Sequence, residues 1–349
     1  MTIPTEQKAL ILPEKQGQFV VATWPVDKPE TGEVLVRIEA TALNPADWKV
    51  QAYGGLVNEY PAILGFDSAG VVVAVGEDVA SPLVGDKILF QSTLTPRLAG
   101  FKQYTIAKAN ATAQIPDNIN FDQAATVPIG LGTAAVGLYA RSWARGGADL
   151  IPGWEAAGRA KYTNQPIVVF GGSSSVGQYA IQLARLNGFS PIIATVSTHN
   201  NDLVRSVGAT HTIDRRLSTS AIVSKVKEVT SEPVEVIFDA ISIASTQETA
   251  YEILASGGKL VLVHPSSIPQ DKVKADKTVI NTGVLAPDNK PVIENLYKRL
   301  TQHLASGDIK PNAVELLPGG LAGIAKGLEK MKNDAISGKK LVAHPQQTV

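Results

Sequence analysis

The chain has 349 residues, 44% of them hydrophobic, which suits two domains with material for a core in each. Lys plus Arg and Asp plus Glu are both 32, so the formal net charge is zero and no basic surplus points to nucleic acid or an anionic membrane. There is no cysteine, which excludes disulfides, thiolate metal ligands and a cysteine nucleophile.

Residues 7–128 alternate short β-rich runs (9–12, 19–23, 33–42, 70–75 and 87–91) with Gly, Pro and Asp, the pattern of a compact β domain. Inside it, Asn44 and Asp47 read as caps of a short helix after Pro45, with Lys49 on its solvated face. Residues 124–141 predict one helical stretch whose Gly and Ala permit close packing, a hinge element between domains. Residues 146–165 are polar and Gly-containing and predict a surface loop.

From 167 the pattern changes. Ile-Val-Val-Phe-Gly-Gly-Ser-Ser-Ser-Val-Gly is an apolar strand meeting a small-residue turn, followed by a helix-like run over 178–187. That is how a strand delivers a pyrophosphate to a helix N-terminus, where unpaired N–H groups and the helix dipole supply positive potential. A G-x-G-x-x-G register would fall on Gly172, Ser174 and Gly177, with Ser in the middle, so the motif by itself also fits a strand-turn-helix without a ligand. A second apolar strand over 191–196 ends at Ser197-Thr198-His199-Asn200, and no carboxylate follows before Asp202. An NAD site usually places Asp or Glu at such a strand end, whereas a hydroxyl, an imidazole and an amide, with Arg215 or Arg216 nearby, suit the extra phosphate of NADP. The same four residues also read as a turn and N-cap for a helix starting near Asp202.

The alternation continues through a strand over 235–240, a helix over 246–254 and a strand over 258–264. The expected fold class is therefore α/β, a doubly wound parallel sheet beside the β-rich domain. Residues 291–306 and 323–334 predict amphipathic helices, and 341–343 a last strand. His199, His211, His264, His303 and His344 include no pair at i, i+3 or i+4, so no metal is expected. No run approaches the roughly 20 apolar residues of a membrane span, and the opening Met-Thr-Ile-Pro-Thr-Glu-Gln-Lys lacks a signal peptide's apolar segment, which makes the cytoplasm the expected location.

Taken together, the blocks at 43–49 (Leu-Asn-Pro-Ala-Asp-Trp-Lys), 65–72 (Gly-Phe-Asp-Ser-Ala-Gly-Val-Val), 75–76, 84–87, 171–177 and 337–342 resemble the medium-chain dehydrogenase/reductase superfamily, in its zinc-free branch of quinone-oxidoreductase-like and enoyl-reductase-like proteins. The resemblance implies a GroES-like catalytic domain from residues 1–128 and 307–349 around an NADP-binding Rossmann domain at 129–306. In zinc-dependent relatives, Gly65-Phe66-Asp67 would be Gly-His-Glu and a cysteine would stand near Asn44. More narrowly, Asn-Pro-x-Asp-x-Lys together with Ser-Thr-His-Asn is similar to fungal trans-acting enoyl reductases of polyketide pathways. That similarity implies Asp47, Trp48 and Lys49 beside the nicotinamide end of NADPH, and Ser173, Ser174, Ser175, Val176 and Gly177 on the pyrophosphate. It further implies Ser197, Thr198, His199 and Asn200 on the 2′-phosphate, and Leu262 and Val263 beside the nicotinamide. Where the group tends to show Asp-Tyr, this chain has Asp214-Arg215, which exchanges ring packing for a guanidinium contact.

The expected reaction is metal-free hydride transfer from NADPH to an activated C=C of an α,β-unsaturated carbonyl substrate, the adjacent carbonyl accepting charge as an enolate. Lys49 would hydrogen-bond the enolate or the cofactor ribose, or donate a proton, as water also can; Asp47 would orient Lys49 or the ribose. Trp48, Tyr53, Tyr60 and Phe66 are candidates for an apolar substrate cleft between the domains, each reading equally as core. Thr133 is a candidate for the carboxamide or for packing, and His264 for the site or for a plain loop. Lys339 and Lys340 match the family's tail motif but read as solvated. An NADPH quinone reductase and a non-catalytic NADPH-binding scaffold stay open, as do a polyketide-pathway protein partner and the choice of monomer or homodimer.

Overall fold

The computed structural model describes residues 2–143 and 145–349, which fold into two compact units. The first comprises Met1–Ile129, Tyr297–Ser306 and Pro311–Val349; the second comprises Gly130–Leu296 and Gly307–Lys310.

The first unit opens with β1 (Glu6–Leu12), β2 (Val20–Pro25), β3 (Glu33–Ala42), α1 (Pro45–Tyr53), β4 (Ala62–Ile63), β5 (Asp67–Val75), β6 (Lys87–Gln91), β7 (Tyr104–Lys108), β8 (Thr112–Gln114) and α2 (Phe121–Ala125). Strands β2-β1-β4 form a small sheet. A larger one runs β15-β16-β3-β5-β6-β8, with β7 also on β3, where β15 is Ala313–Leu316 and β16 is Lys339–Ala343. Val34, Val36, Val72, Ile88 and Phe90 fill one of its faces. A second core gathers Leu10, Leu12, Leu43, Val50, Ile63, Phe101, Leu321, Ile324 and Leu328. Each such side chain contributes about 1.5–3 kcal/mol by leaving water.

The second unit carries most of α3 (Pro128–Tyr139), then β9 (Ile167–Phe170), α4 (Ser175–Leu186), β10 (Ile192–Val196), α5 (Asn201–Ser206), β11 (His211–Asp214), α6 (Thr219–Val229), β12 (Val236–Asp239), α7 (Ala244–Ile253), β13 (Lys259–Leu262), β14 (Thr278–Asn281) and the first turns of α8 (Lys290–Ser306). Its sheet runs β11-β10-β9-β12-β13-β14 and every pairing is parallel. Numbered within the unit this is the doubly wound order 3-2-1-4-5-6, which reverses beside β9, the strand that feeds the Gly171–Gly177 turn. Strands β9, β10 and β12 are buried along their whole length, as parallel strands covered on both faces are.

Three expectations change. The helix expected over 124–141 is two helices, α2 and α3, because Pro128 has no N–H to donate and disfavours helical geometry at Val127. Residues 146–165 form turns rather than a purely exposed loop: Trp154 meets the Tyr139 ring edge-on at 4.7 Å, and a Cβ on Gly147 would stand 2.1 Å from the Val136 carbonyl. The division expected at 306/307 shifts as well. Tyr297–Ser306 belongs to the first unit, tied there by Asn118 Nδ2 to Leu304 O (3.0 Å) and Thr301 Oγ1 to Gln114 O (2.8 Å); Gly307–Lys310 stays with the second through Lys310 N to Gln182 Oε1 (2.7 Å).

No helix among the described residues is long and apolar enough to cross a membrane.

Candidate active site

In the first unit, α1 carries Asp47, Trp48 and Lys49. Asn44 is its N-cap, Pro45 opens it, and Gly54 closes it at φ 67°. Asp47, fully buried at 0% exposure, accepts from Asn44 N at 2.8 Å and from Gly65 N at 3.1 Å. Both oxygens of Asp47 are thus engaged by backbone amides, the capping alternative raised by the sequence, and burial pushes its carboxyl up to about 7. Lys49, one residue beyond Trp48, lies 5.5 Å from the Trp48 ring centroid. Desolvation holds its ammonium below the ordinary lysine range, and the Asp334 carboxylate opposes that shift. Trp48 meets Tyr53 at 5.9 Å between ring centroids, and Tyr53 is 70% exposed. Tyr60 packs against the same core as Trp48, with its buried hydroxyl lacking a partner among the described residues.

Phe66 is different. At 1% exposure it lies in the core, one residue before β5, which leaves it almost no exposed surface to offer a substrate. Beside it, Asp67 (0% exposed) receives Lys340 Nζ, Asn44 Nδ2 at 2.8 Å and Ile129 N at 2.6 Å. Lys340 is therefore buried, at 4% exposure, against the expectation that both tail lysines are solvated. Lys339, its neighbour on β16, points outward to Glu315 at 3.3 Å. A zinc ion would find a poor donor set here: Asn44 and Phe66 are not thiolate and imidazole, and Asp67 is neutralised by an internal ammonium. No group of three or more His, Asp or Glu able to hold a metal occurs among the described residues.

In the second unit, the turn after β9 is shaped by absent side chains. Gly171 sits at φ 69°, and a Cβ on Gly177 would stand 2.2 Å from Gly171 O and 3.0 Å from Gly172 Cα. Ser174 caps α4 by accepting from Gly177 N at 3.0 Å, and Ser173, Ser175 and Val176 are partly exposed around it. Gly130 lets α3 lie against this helix start, since a Cβ there would stand 2.5 Å from Ser175 Oγ; Thr133, a turn further along α3, is half-buried. The turn with its positive helix end suits the pyrophosphate of a nicotinamide coenzyme. Gly177→Ala is expected to force α4 off the β9 end, costing about 1–3 kcal/mol in unfolding experiments together with the coenzyme affinity. An unchanged urea midpoint and coenzyme titration would contradict this packing argument.

At the end of β10, Arg215 Nε donates to Ser197 Oγ at 2.7 Å. Arg216 turns away to a two-pronged pair with Asp214 (Nη2 to Oδ2, 2.8 Å; Nε to Oδ1, 3.1 Å), which also draws the Asp214 carboxyl below its usual range. Thr198 and His199 are exposed, while Asn200 is buried. At the end of β13, Leu262 is wholly buried, and Val263 and His264 are half-exposed. Asp239, Ser242 and Gln247, which no motif announces, form a hydrogen-bonded hub beside these residues; the only signal is an Asp three places before a Ser at a strand end.

The two units define a dehydrogenase/reductase of the medium-chain type. Residues 30–117 match the model for the alcohol dehydrogenase GroES-like domain, and residues 175–286 match that for a zinc-binding dehydrogenase. The chain is 30% identical over 358 residues to Trans-enoyl reductase BOA5 of Botryotinia fuckeliana (strain B05.10), covering 91% of this chain and 93% of that protein. It is 32% identical over 354 residues to Trans-enoyl reductase ACTTS2 of Alternaria alternata, covering 96% and 98%. A quinone oxidoreductase from Pseudomonas syringae pv. Tomato DC3000 shares the fold, with a TM-score of 0.78, 20% identity, and 97% and 100% of the two chains covered. The chain belongs to the medium-chain dehydrogenase/reductase superfamily, in the branch that holds these trans-enoyl reductases, and is an oxidoreductase.

Proposed function

We propose that the protein is an NADPH-dependent enoyl reductase that saturates the C=C of an α,β-unsaturated thioester or ketone without a metal. The observation that carries this reading is the identity of about 30% along nearly the whole chain to proteins named trans-enoyl reductases. We extend the word trans in those names to an acyl chain presented by a separate synthase protein.

The preference for NADPH rests on the donors after β10. Ser197 stands where a ribose-binding carboxylate would, and Arg215 is hydrogen-bonded to it, so a hydroxyl and a guanidinium face the coenzyme's extra phosphate. The nearest carboxylate, Asp214, is engaged by Arg216. Ser173–Gly177, with the positive end of α4, would hold the pyrophosphate.

When bound, the reduced nicotinamide supplies the hydride. The chain's own residues handle charge and the proton. The Lys49 ammonium can hydrogen-bond the substrate carbonyl oxygen, stabilising the enolate. Trp48 and Tyr53 offer apolar surface to the acyl chain. Lys49, with a lowered proton affinity, returns a proton to the α-carbon or to the oxygen. Asp47 fixes the first turn of α1 and so acts on Lys49 only by holding the helix.

NADPH oxidation across a panel of enoyl thioesters, enones and quinones tests the reading. Turnover of the thioester or enone should lead, and Lys49→Ala should lower its kcat by about 10²-fold. Turnover of quinones alone would favour the quinone reductase, and tight NADPH binding with no acceptor would favour a scaffold. The pH profile adds a signed prediction. Only the protonated Lys49 can donate, so kcat/KM falls as pH rises through its pKa. Asp334→Asn removes the charge that holds this pKa up, so the basic limb should move to lower pH. An unmoved limb would exclude Lys49 as the donor.

A further inference from the structure

The loop between β12 and α7 contains one residue in an unusual conformation. Ser242 has φ 55°, the left-handed region that disfavours every L residue with a Cβ, and it is buried. Its neighbours hold it there. The buried Asp239 carboxylate accepts from Ile241 N (2.9 Å), Ser242 N (2.8 Å) and Thr246 Oγ1 (2.6 Å), a tight Asx turn. Gln247 uses both donors and its acceptor: Nε2 reaches Ser242 O (2.9 Å) and Pro265 O (3.1 Å), while Oε1 receives Ser267 N (2.7 Å) and Ser267 Oγ (3.0 Å).

The Ser242 hydroxyl is thereby aimed along one line. It donates to Asp239 O at 2.7 Å and accepts from Val263 N at 2.9 Å. The same peptide is gripped on its other side, where Leu262 O accepts from Thr282 N at 2.8 Å and from Asn281 Nδ2 at 3.3 Å. Neither polar atom of the Leu262–Val263 peptide is left for a ligand, and its plane is set from β12 and β14 together. What the turn presents beyond β13, namely Val263 and His264, follows from that plane.

We infer that Ser242 is a positioning residue for the nicotinamide end of the coenzyme, acting through the Leu262–Val263 peptide; the inference rests on the reading above that Leu262 and Val263 lie beside the nicotinamide. Its strained conformation is retained because the hydroxyl, rather than the backbone turn, is needed. Glycine would satisfy the φ without strain yet lose the clamp.

That contrast supplies the test. Ser242→Gly is expected to fold, since relief of the left-handed strain offsets much of the cost of the two lost hydrogen bonds. Titration with adenosine 2′,5′-bisphosphate, which has no nicotinamide, should match the parent protein. NADPH, followed by its fluorescence, should bind roughly tenfold more weakly through the lost hydrogen bond, and exchange of the Val263 amide hydrogen should speed up by a similar factor. Unchanged NADPH affinity and amide exchange would overturn the inference and leave the coenzyme reading intact. An equal loss for both ligands would overturn it too, by showing general damage to the unit. A parent protein that binds neither ligand would remove the coenzyme reading, and the inference with it.

Discussion

Lys340→Met is expected to destabilise the protein by about 3–5 kcal/mol, a large share of the roughly 5–15 kcal/mol that holds a typical fold together. Asp67 is fully buried, and Lys340 is its only cationic partner among the hydrogen bonds described. Two neutral donors, Asn44 Nδ2 and Ile129 N, cannot replace the charge. Adding Asp67→Asn to Lys340→Met should recover most of the loss, because the cost lies in the stranded carboxylate rather than in the missing pair. Lys339→Met, one residue away on the same strand, should change stability by less than about 1 kcal/mol, since its contact with Glu315 is solvent-screened. Urea unfolding of the three variants decides the matter. Equal losses for the two single lysine variants would show that the buried pair has been misjudged.

Ser197→Asp and Arg215→Ala are expected to lower NADPH affinity by roughly 10- to 100-fold while sparing NADH, the range for charge-assisted hydrogen bonds. In Ser197→Asp the new carboxylate would repel the 2′-phosphate and capture Arg215, which already bonds to position 197. It would also offer an acceptor to an unphosphorylated ribose. Arg216→Ala is the control: its guanidinium is held by Asp214, so the preference should change little. Fluorescence titration with the two coenzymes reads all three. A parallel loss for NADPH and NADH would mean that these residues shape the loop without selecting the phosphate.

Much of this architecture was legible in the residues because it depends on local pattern. The apolar run ending in Gly171-Gly172 and the small residues up to Gly177 announced a strand, a turn and a helix start, and the structure shows why glycine is needed at 177. Asp47 as a cap of the short helix was also visible, from spacing alone, whereas the Asn44 side chain turns to Asp67 instead of capping. Long-range partners were not. Asp67 and Lys340 are 273 positions apart, so nothing near either residue signals the other. Ser-Gly-Lys-Lys read as a solvated pair until β16 placed successive side chains on opposite faces, one lysine outward and one inward. Phe66 read as a possible substrate wall because aromatic residues serve both cores and sites, and only burial separates the two. Ser242 was silent for another reason: left-handed backbone normally advertises itself as Gly or Asn, and here surrounding hydrogen bonds impose it on Ser.

The central claim is that hydride passes from NADPH to carbon of a conjugated double bond. Incubation of the protein with each C4-deuterated epimer of NADPH and a short 2-enoyl thioester, followed by mass spectrometry, tests it directly. One epimer should deliver a single deuterium to the β-carbon of a saturated thioester, and the other should deliver none. A product without deuterium from either epimer, or deuterium on a carbonyl carbon reduced to an alcohol, would contradict the account.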